Sequence, residues 1–508
     1  MRGKFIQKIT QRYWHCGKNR AKMGVSEAPW GFLVFAHKHE PPCGQKIKKR
    51  KRENNMKKTL KTVLALLALV LLLPVMAAAA DAEYDITTEE ELRAAVEAMT
   101  EGANVTVRLK EDVTINGDLK VSTGTLTILG QGHKLTIKKD DQGCSMVISN
   151  GATVNLGTKE GEVKPENKLI LTSIDDTNAV INMDGSAVLN MYHGVEIRDS
   201  RAGGQAGGVQ LIGDKTVFNM YGGVIDNCVN WASVAGGVCI DGGALFNMYD
   251  GVIQNCSGWT GGAVSVSGGP AIGEYLSGST GFHMYGGTIK DCHDNWLGGG
   301  AVCAYTAEPI SFIMDGGTIT GCSADGEGYG GAIFIYTTHP DAVIEINKGE
   351  ITGNSGVYGG GVFVYEGTVK IADGVALHNN TATEEGDDLY NERGSVTLGK
   401  LPAGLKLAAC GCDIDGWYHD KKDARWSSTK CGGEADQMEK HTDTAFTDGR
   451  ALKAAHGKKQ AKPPYIVEPE DPVEEAPNPT TGANDFVGVA AAMAVVSLLG
   501  AAAVIRKK

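Results

Sequence analysis

One segment recurs along the middle of this chain, and that recurrence limits the fold more than any other feature. Aligned on a methionine, the copies read VLNMYHGVEIRDS from Val188, VFNMYGGVIDNC from Val217, LFNMYDGVIQNC from Leu245, GFHMYGGTIKDC from Gly281, SFIMDGGTITGC from Ser311 and VIEINKGEITGN from Val343. A seventh, VKIADGVALHNN, follows from Val369. The anchors Met191, Met220, Met248, Met284, Met314, Ile346 and Ile371 lie 29, 28, 36, 30, 32 and 25 residues apart. Such spacing belongs to a solenoid whose loops vary in length while its coil does not.

Each unit divides into three short strands, because runs of four to six alternating apolar residues are broken by glycine pairs that supply turns. The first strand opens on the pair: GGVQLI, GGVCID, GGAVSV, GGAVCA, GGAIFI and GGVFVY. The second is the Phe-Asn-Met-Tyr strand, and the third carries Ile225, Ile253, Ile289, Ile319 or Ile351. Period-2 alternation turns Phe218, Phe246, Phe282, Phe312 and the methionines inward, and Asn219, Asn247, Tyr221, Tyr249 and Tyr285 outward. Cys228, Cys256, Cys292 and Cys322 share one register, preceded by Ser200 and followed by Asn354 and Asn380. Small side chains suit the corner of a coil, and free buried thiols are expected there.

The glycine pair followed by Ala or Val and a hydrophobe, together with an Ile-x-x-Asn or Ile-x-x-Cys turn, resembles the repeats of polymorphic outer-membrane and adhesin-like β-helix proteins of the pectate-lyase-like superfold. The resemblance covers residues 85–400. The fold expected is all-β, a right-handed parallel β-helix solenoid with three strands per coil and a short N-terminal capping helix. ITTEEELRAAVEAMTEG should form that helix, with Thr87 or Thr88 as cap, Glu90 and Glu91 at its N-terminus, and Leu92, Ala95 and Val96 on one face.

The ends carry targeting signals. From Met56, three lysines precede an apolar run and Ala78-Ala79-Ala80, which reads as a signal peptide over 56–80 cleaved between Ala80 and Asp81. The 55 basic residues before Met56 are explained most simply by a start assigned too far upstream. At the other end, Asn478-Pro479-Thr480-Thr481-Gly482 precedes an apolar stretch over 486–505 that is long enough to span a bilayer, then Arg506, Lys507 and Lys508. This order resembles the sorting signal of Gram-positive sortase substrates, with Asn478 in place of the usual Leu. The resemblance implies that a sortase thiolate attacks the Thr481 carbonyl, releases Gly482 onward and leaves the protein amide-linked to peptidoglycan. The organisation expected is therefore an extension over 1–55, a signal peptide over 56–80 and a β-helix with its N-terminal cap over 81–400. A small Cys- and Trp-containing cap region over 401–456, a Pro, Lys and Glu spacer over 457–480 and a sorting signal over 478–508 follow.

Of 49 Lys and Arg and 60 Asp and Glu, residues 1–80 hold 17 and 3 and the tail holds 3 and 1. The segment between carries about −27, which argues against nucleic acid and anionic membrane as partners; membrane contact is expected only through the C-terminal segment. No cofactor or metal is expected: Cys410-x-Cys412 with Cys431 falls one ligand short of a zinc site. The catalytic set of the superfold's polygalacturonases is not found. Asp175-Asp176 lacks companion motifs, and Asp199 with Arg198, and Asp291 with Asp294, read as turn residues on a solvated corner. A ladder of Tyr192, Tyr221, Tyr249 and Tyr285 beside Asn190, Asn219 and Asn247 could stack on sugars or stabilise the sheet by itself. The expectation is an extracellular, wall-anchored, adhesin-like protein without catalytic residues, binding a glycan or a host or neighbouring surface through its flank. The alternative is a wall-anchored lyase or glycoside hydrolase acting on an acidic polysaccharide.

Overall fold

The computed structural model describes residues 81–140, 144–159, 168–174, 178–267, 280–326, 328–422 and 439–457, all within the compact unit that begins at Ala78. The signal segment through Ala80, the pair Asp175 and Asp176, Cys431, the spacer beyond Gly457, the pentad Asn478 to Gly482 and the apolar tail lie outside the described residues.

The repeats stack in register as parallel strands. Met191 faces Met220, and the series runs through Met248, Met284, Met314, Ile346 and Ile371 without a slip at the anchor. It extends back through Leu156, Ile128 and Val107 to Tyr84 and forward to Leu398. A second ladder joins Ile197, Ile225, Ile253, Ile289, Ile319, Ile351 and Leu377. The strands after the glycine pairs form a third, from Leu211 through Ile240, Val266, Ala304 and Ile335 to Val364. The molecule is thus all-β with long, stacked parallel sheets, an architecture compatible with a β-helix solenoid.

Alternation sets the core. Phe218, Phe246, Phe282 and Phe312 are fully buried, stacked at 4.7, 5.0 and 5.6 Å between ring centroids. Burying each ring contributes about 1.5–3 kcal/mol. The glycine pairs are needed because neighbouring backbones touch there: a Cβ on Gly331 would stand 2.3 Å from the Gly360 carbonyl oxygen.

The third strand is bent rather than simple. Asp199, Asn227, Asn255, Asp291 and Asn379 take φ of 53, 50, 54, 54 and 55°, and Gly321 and Gly353 occupy the same place with 67 and 71°. Asn, Asp and Gly tolerate this left-handed conformation where other residues are strained. Beyond the bend the chain pairs once more, as Val229 with Ser257, His293 and Ser323.

Among the described residues there is one helix, Glu89–Glu97, closed at Thr88 by a capping box with Glu91 and burying Leu92, Ala95 and Val96. Arg93 donates to the Asn116 and Asp118 carbonyls at 2.8 Å each, and the Asn116 N–H donates to Glu89 at 3.0 Å, so the helix satisfies groups at the end of the stack. At the opposite end, antiparallel strands Arg450–Ala455 and Ala445–Phe446 pair with the last rungs at Leu389 and Val396. Among the described residues no helix is long and apolar enough to cross a membrane.

Candidate functional site

The outward positions of the methionine strands form two adjoining rows. In one, each asparagine donates to its predecessor: Asn155 Nδ2 to Thr127 Oγ1 at 3.1 Å, Asn190 to Asn155 at 2.9 Å, Asn219 to Asn190 at 3.0 Å and Asn247 to Asn219 at 2.9 Å. In-register stacking imposes this, because identical amides about 4.8 Å apart complement one another. His283 takes the next rung and bonds Asp315 at 2.7 Å, which holds the Asp315 carboxyl below its usual range.

In the other row Tyr192, Tyr221, Tyr249 and Tyr285 stack nearly parallel, with centroids 5.3, 4.9 and 4.8 Å apart and planes within 9°. His283 closes the row at 3.8 Å from Tyr285. Burial, then the neighbouring ring, raises the phenol pKa of Tyr192 and Tyr221 above its ordinary value; the same two effects act on Tyr285. Tyr249 and Tyr285 remain 39 % and 41 % exposed. The ring faces cover one another, so the strip offers edges and hydroxyls outward. Asn247 is buried rather than displayed, its amide drawn into the ladder.

The carboxylates weighed in the sequence serve the bends. Arg198 joins Asp199 at 2.9 Å and Glu196 at 3.0 Å, and Asp199 and Asp291 supply left-handed bend residues. Asp294 departs from expectation: it is fully buried rather than on a solvated corner. It accepts from the Gly261 N–H and the Trp296 N–H at 3.0 Å each, while burial pushes its carboxyl well above the usual range.

Sequence reasoning missed a polar cluster in the C-terminal region, where Asp387 and Asp388 stand in the register of Gly360 and Gly361. Asp388 accepts from the Asn380 backbone at 3.0 Å, the Asn380 side chain at 2.9 Å and the Ala454 N–H at 2.7 Å. Burial pushes its carboxyl up to about 7. Asp387 pairs with Lys453 at 2.6 Å, and all three line a cavity of about 190 Å³ with Leu407 and Ala408. The signal was present: Asp-Asp-Leu replaces the recurring Gly-Gly-Val.

Cys228, Cys256, Cys292 and Cys322 are free, buried thiols whose Sγ groups point at carbonyls of the bend, Cys256 to Gln254 at 3.2 Å and Cys292 to Lys290 at 3.3 Å. Cys410 and Cys412 are disulfide-bonded. Among the described residues no group of three or more His, Cys, Asp and Glu is placed to hold a metal ion. No protein-family model matches the chain, and neither a curated protein nor a solved structure does.

Proposed function

We propose that the chain is a secreted, wall-anchored surface protein, adhesin-like, whose stacked strands form a right-handed parallel β-helix with three strands per coil. Its flank binds a glycan or a host or neighbouring surface. Sortase would process it at Thr481 and peptidoglycan would hold it. The observation that carries the binding reading is the outward strip of Tyr192, Tyr221, Tyr249 and Tyr285 beside the asparagine ladder: a regular row of hydroxyls and amides along four rungs. Such a row suits an extended partner better than a small molecule, which needs an enclosing pocket.

A second reading, a polysaccharide lyase or glycoside hydrolase, is favoured only by Asp387, Asp388 and Lys453 at their cavity. There Ala382 and Lys453 occupy the Asp387 oxygens, and Asn380 and Ala454 those of Asp388. Committed in this way, the carboxylates are better placed to hold the end of the stack than to act on a substrate.

Glycan-array binding of the full chain, compared with Tyr221→Ala and Tyr249→Ala, tests the strip; unchanged binding removes it. Wall fractionation of a Thr481→Ala variant tests anchoring, and retention in the covalent wall fraction would refute it.

A further inference from the structure

Three tryptophans lie just past the bend. Asn230, Gly258 and Asp294 belong to consecutive rungs, and Trp231, Trp259 and Trp296 follow them. We propose that this tryptophan corner is a stacking site for an uncharged glycan. The inference rests on the reading of the protein as a glycan-binding surface protein and adds a sugar contact beyond the tyrosine strip.

Ring geometry is the first reason. A sugar ring packs its C–H face on an open aromatic face, and the tyrosines have given theirs to one another. The tryptophans have not. Trp259 and Trp296 are 6.3 Å apart and tilted by 52°, so their planes diverge. The Trp231 indole rests on Gly203, whose added Cβ would stand 3.0 Å from Cζ2, yet the residue is 47 % exposed, the highest value among the exposed large hydrophobics.

Hydrogen-bonding capacity is the second. Among the described residues none of these three indole N–H groups has a protein acceptor, so each can donate to a hydroxyl. Asn295 precedes Trp296 and is held against the rung of Trp259: its Nδ2 donates to Ser257 Oγ at 2.6 Å and to the Gly258 carbonyl at 3.1 Å, which leaves Oδ1 as an acceptor. His293 is held by Ser323 at 2.8 Å and faces Asp325 at 3.2 Å.

Charge selects the class of glycan. The chain is acidic, with a formal net charge of −11, and Asp325 lies at the corner itself, so a polyanion is repelled while a neutral chain is not. Three rungs span about 10 Å, which suits a short stretch of oligosaccharide lying along the stack.

The test titrates the full chain with cello-, xylo- and chito-oligosaccharides, and with oligogalacturonate as the charged comparison, following tryptophan emission. At least one uncharged oligosaccharide is expected to shift the emission saturably. Trp259→Ala and Trp231→Ala should each weaken it by about tenfold, the size of a lost central aromatic contact. Trp259→Phe should recover part of the loss, and Lys120→Ala, at an exposed lysine outside both aromatic clusters, should leave it unchanged. Trp231 is the variant that least disturbs the fold, so it decides the matter if Trp259→Ala melts early. Wild-type affinity in both alanine variants, binding of oligogalacturonate alone, or no response to any uncharged oligosaccharide overturns the proposal. Loss of binding in Tyr221→Ala with both tryptophan variants intact overturns the corner but leaves the surface-binding reading standing.

Discussion

Asn354 donates from Nδ2 to Asn380 Oδ1 at 2.9 Å, and the same Asn380 oxygen accepts the Asn354 backbone N–H at 3.0 Å. Both side chains are buried, and each also donates to carbonyls of the bend, Asn354 to Ile319 at 3.1 Å and Asn380 to Ile351 at 2.9 Å. They continue the register of the four cysteines, so one position does one task along the stack: it gives a hydrogen to carbonyls that the bend leaves unpaired.

Substitution there should follow donor capacity. Asn354→Leu strands several buried groups and should cost about 2–4 kcal/mol, since each unsatisfied group costs about 1–3 kcal/mol. Asn354→Cys should cost clearly less, because Cys322 on the adjacent rung already donates from Sγ to Thr320. Denaturant midpoints of the two variants check the order; equal losses would remove the donor argument.

The phenylalanine stack should be least tolerant at its centre. Phe246 packs between Phe218 at 4.7 Å and Phe282 at 5.0 Å, so Phe246→Ala opens a cavity with no solvent access. A loss of about 3–5 kcal/mol is expected, with Phe246→Leu much milder. Thermal unfolding followed by circular dichroism measures both.

Glycine substitutions should separate by neighbourhood rather than by conformation. Gly102 has a φ of 77° with nothing near its Cβ direction, so Gly102→Ala carries only the left-handed penalty of about 1–2 kcal/mol. Gly331 would drive a methyl to 2.3 Å from the Gly360 oxygen and to 2.4 Å from Ser355 backbone, and the rungs would have to part. Yields and melting points of the two alanine variants should therefore differ widely.

The C-terminal cluster should respond to pH with a defined sign. Burial, the largest effect, raises Asp388 from 3.8 to about 7, so the folded state holds a proton that the unfolded chain releases near pH 4. No penalty exists below the unfolded value. Stability is lost as pH rises toward about 7, and the loss is complete above it. Melting temperature should fall between about pH 4 and about pH 7, and Asp388→Asn should flatten that fall. A steeper fall in the variant would contradict the assignment.

The repeat carried the register in plain view, because Met191, Met220, Met248, Met284 and Met314 are inward residues of paired strands and inward residues cannot change without a cavity. The bend was harder to see. Asp199, Asn227 and Gly321 look like ordinary turn residues, and only their positive φ shows that one strand folds across them and pairs again. The tryptophan corner was hidden by uneven spacing: Trp231 and Trp259 lie three residues beyond Cys228 and Cys256, whereas Trp296 lies four beyond Cys292. The antiparallel strands of the C-terminal region follow no repeat, so their pairing with Leu389 and Val396 had no periodic signal to announce it.

The rungs stack one per repeat. Nine steps of the outward row separate Thr106 from Lys370, and seven separate Thr106 from Ile313. Electron spin labels on cysteines at these positions should therefore lie about 43 Å and about 34 Å apart, plus the reach of the labels, at about 4.8 Å per rung. Distances that grow by this increment confirm the stack; distances that stay flat or shrink as the repeats advance contradict it.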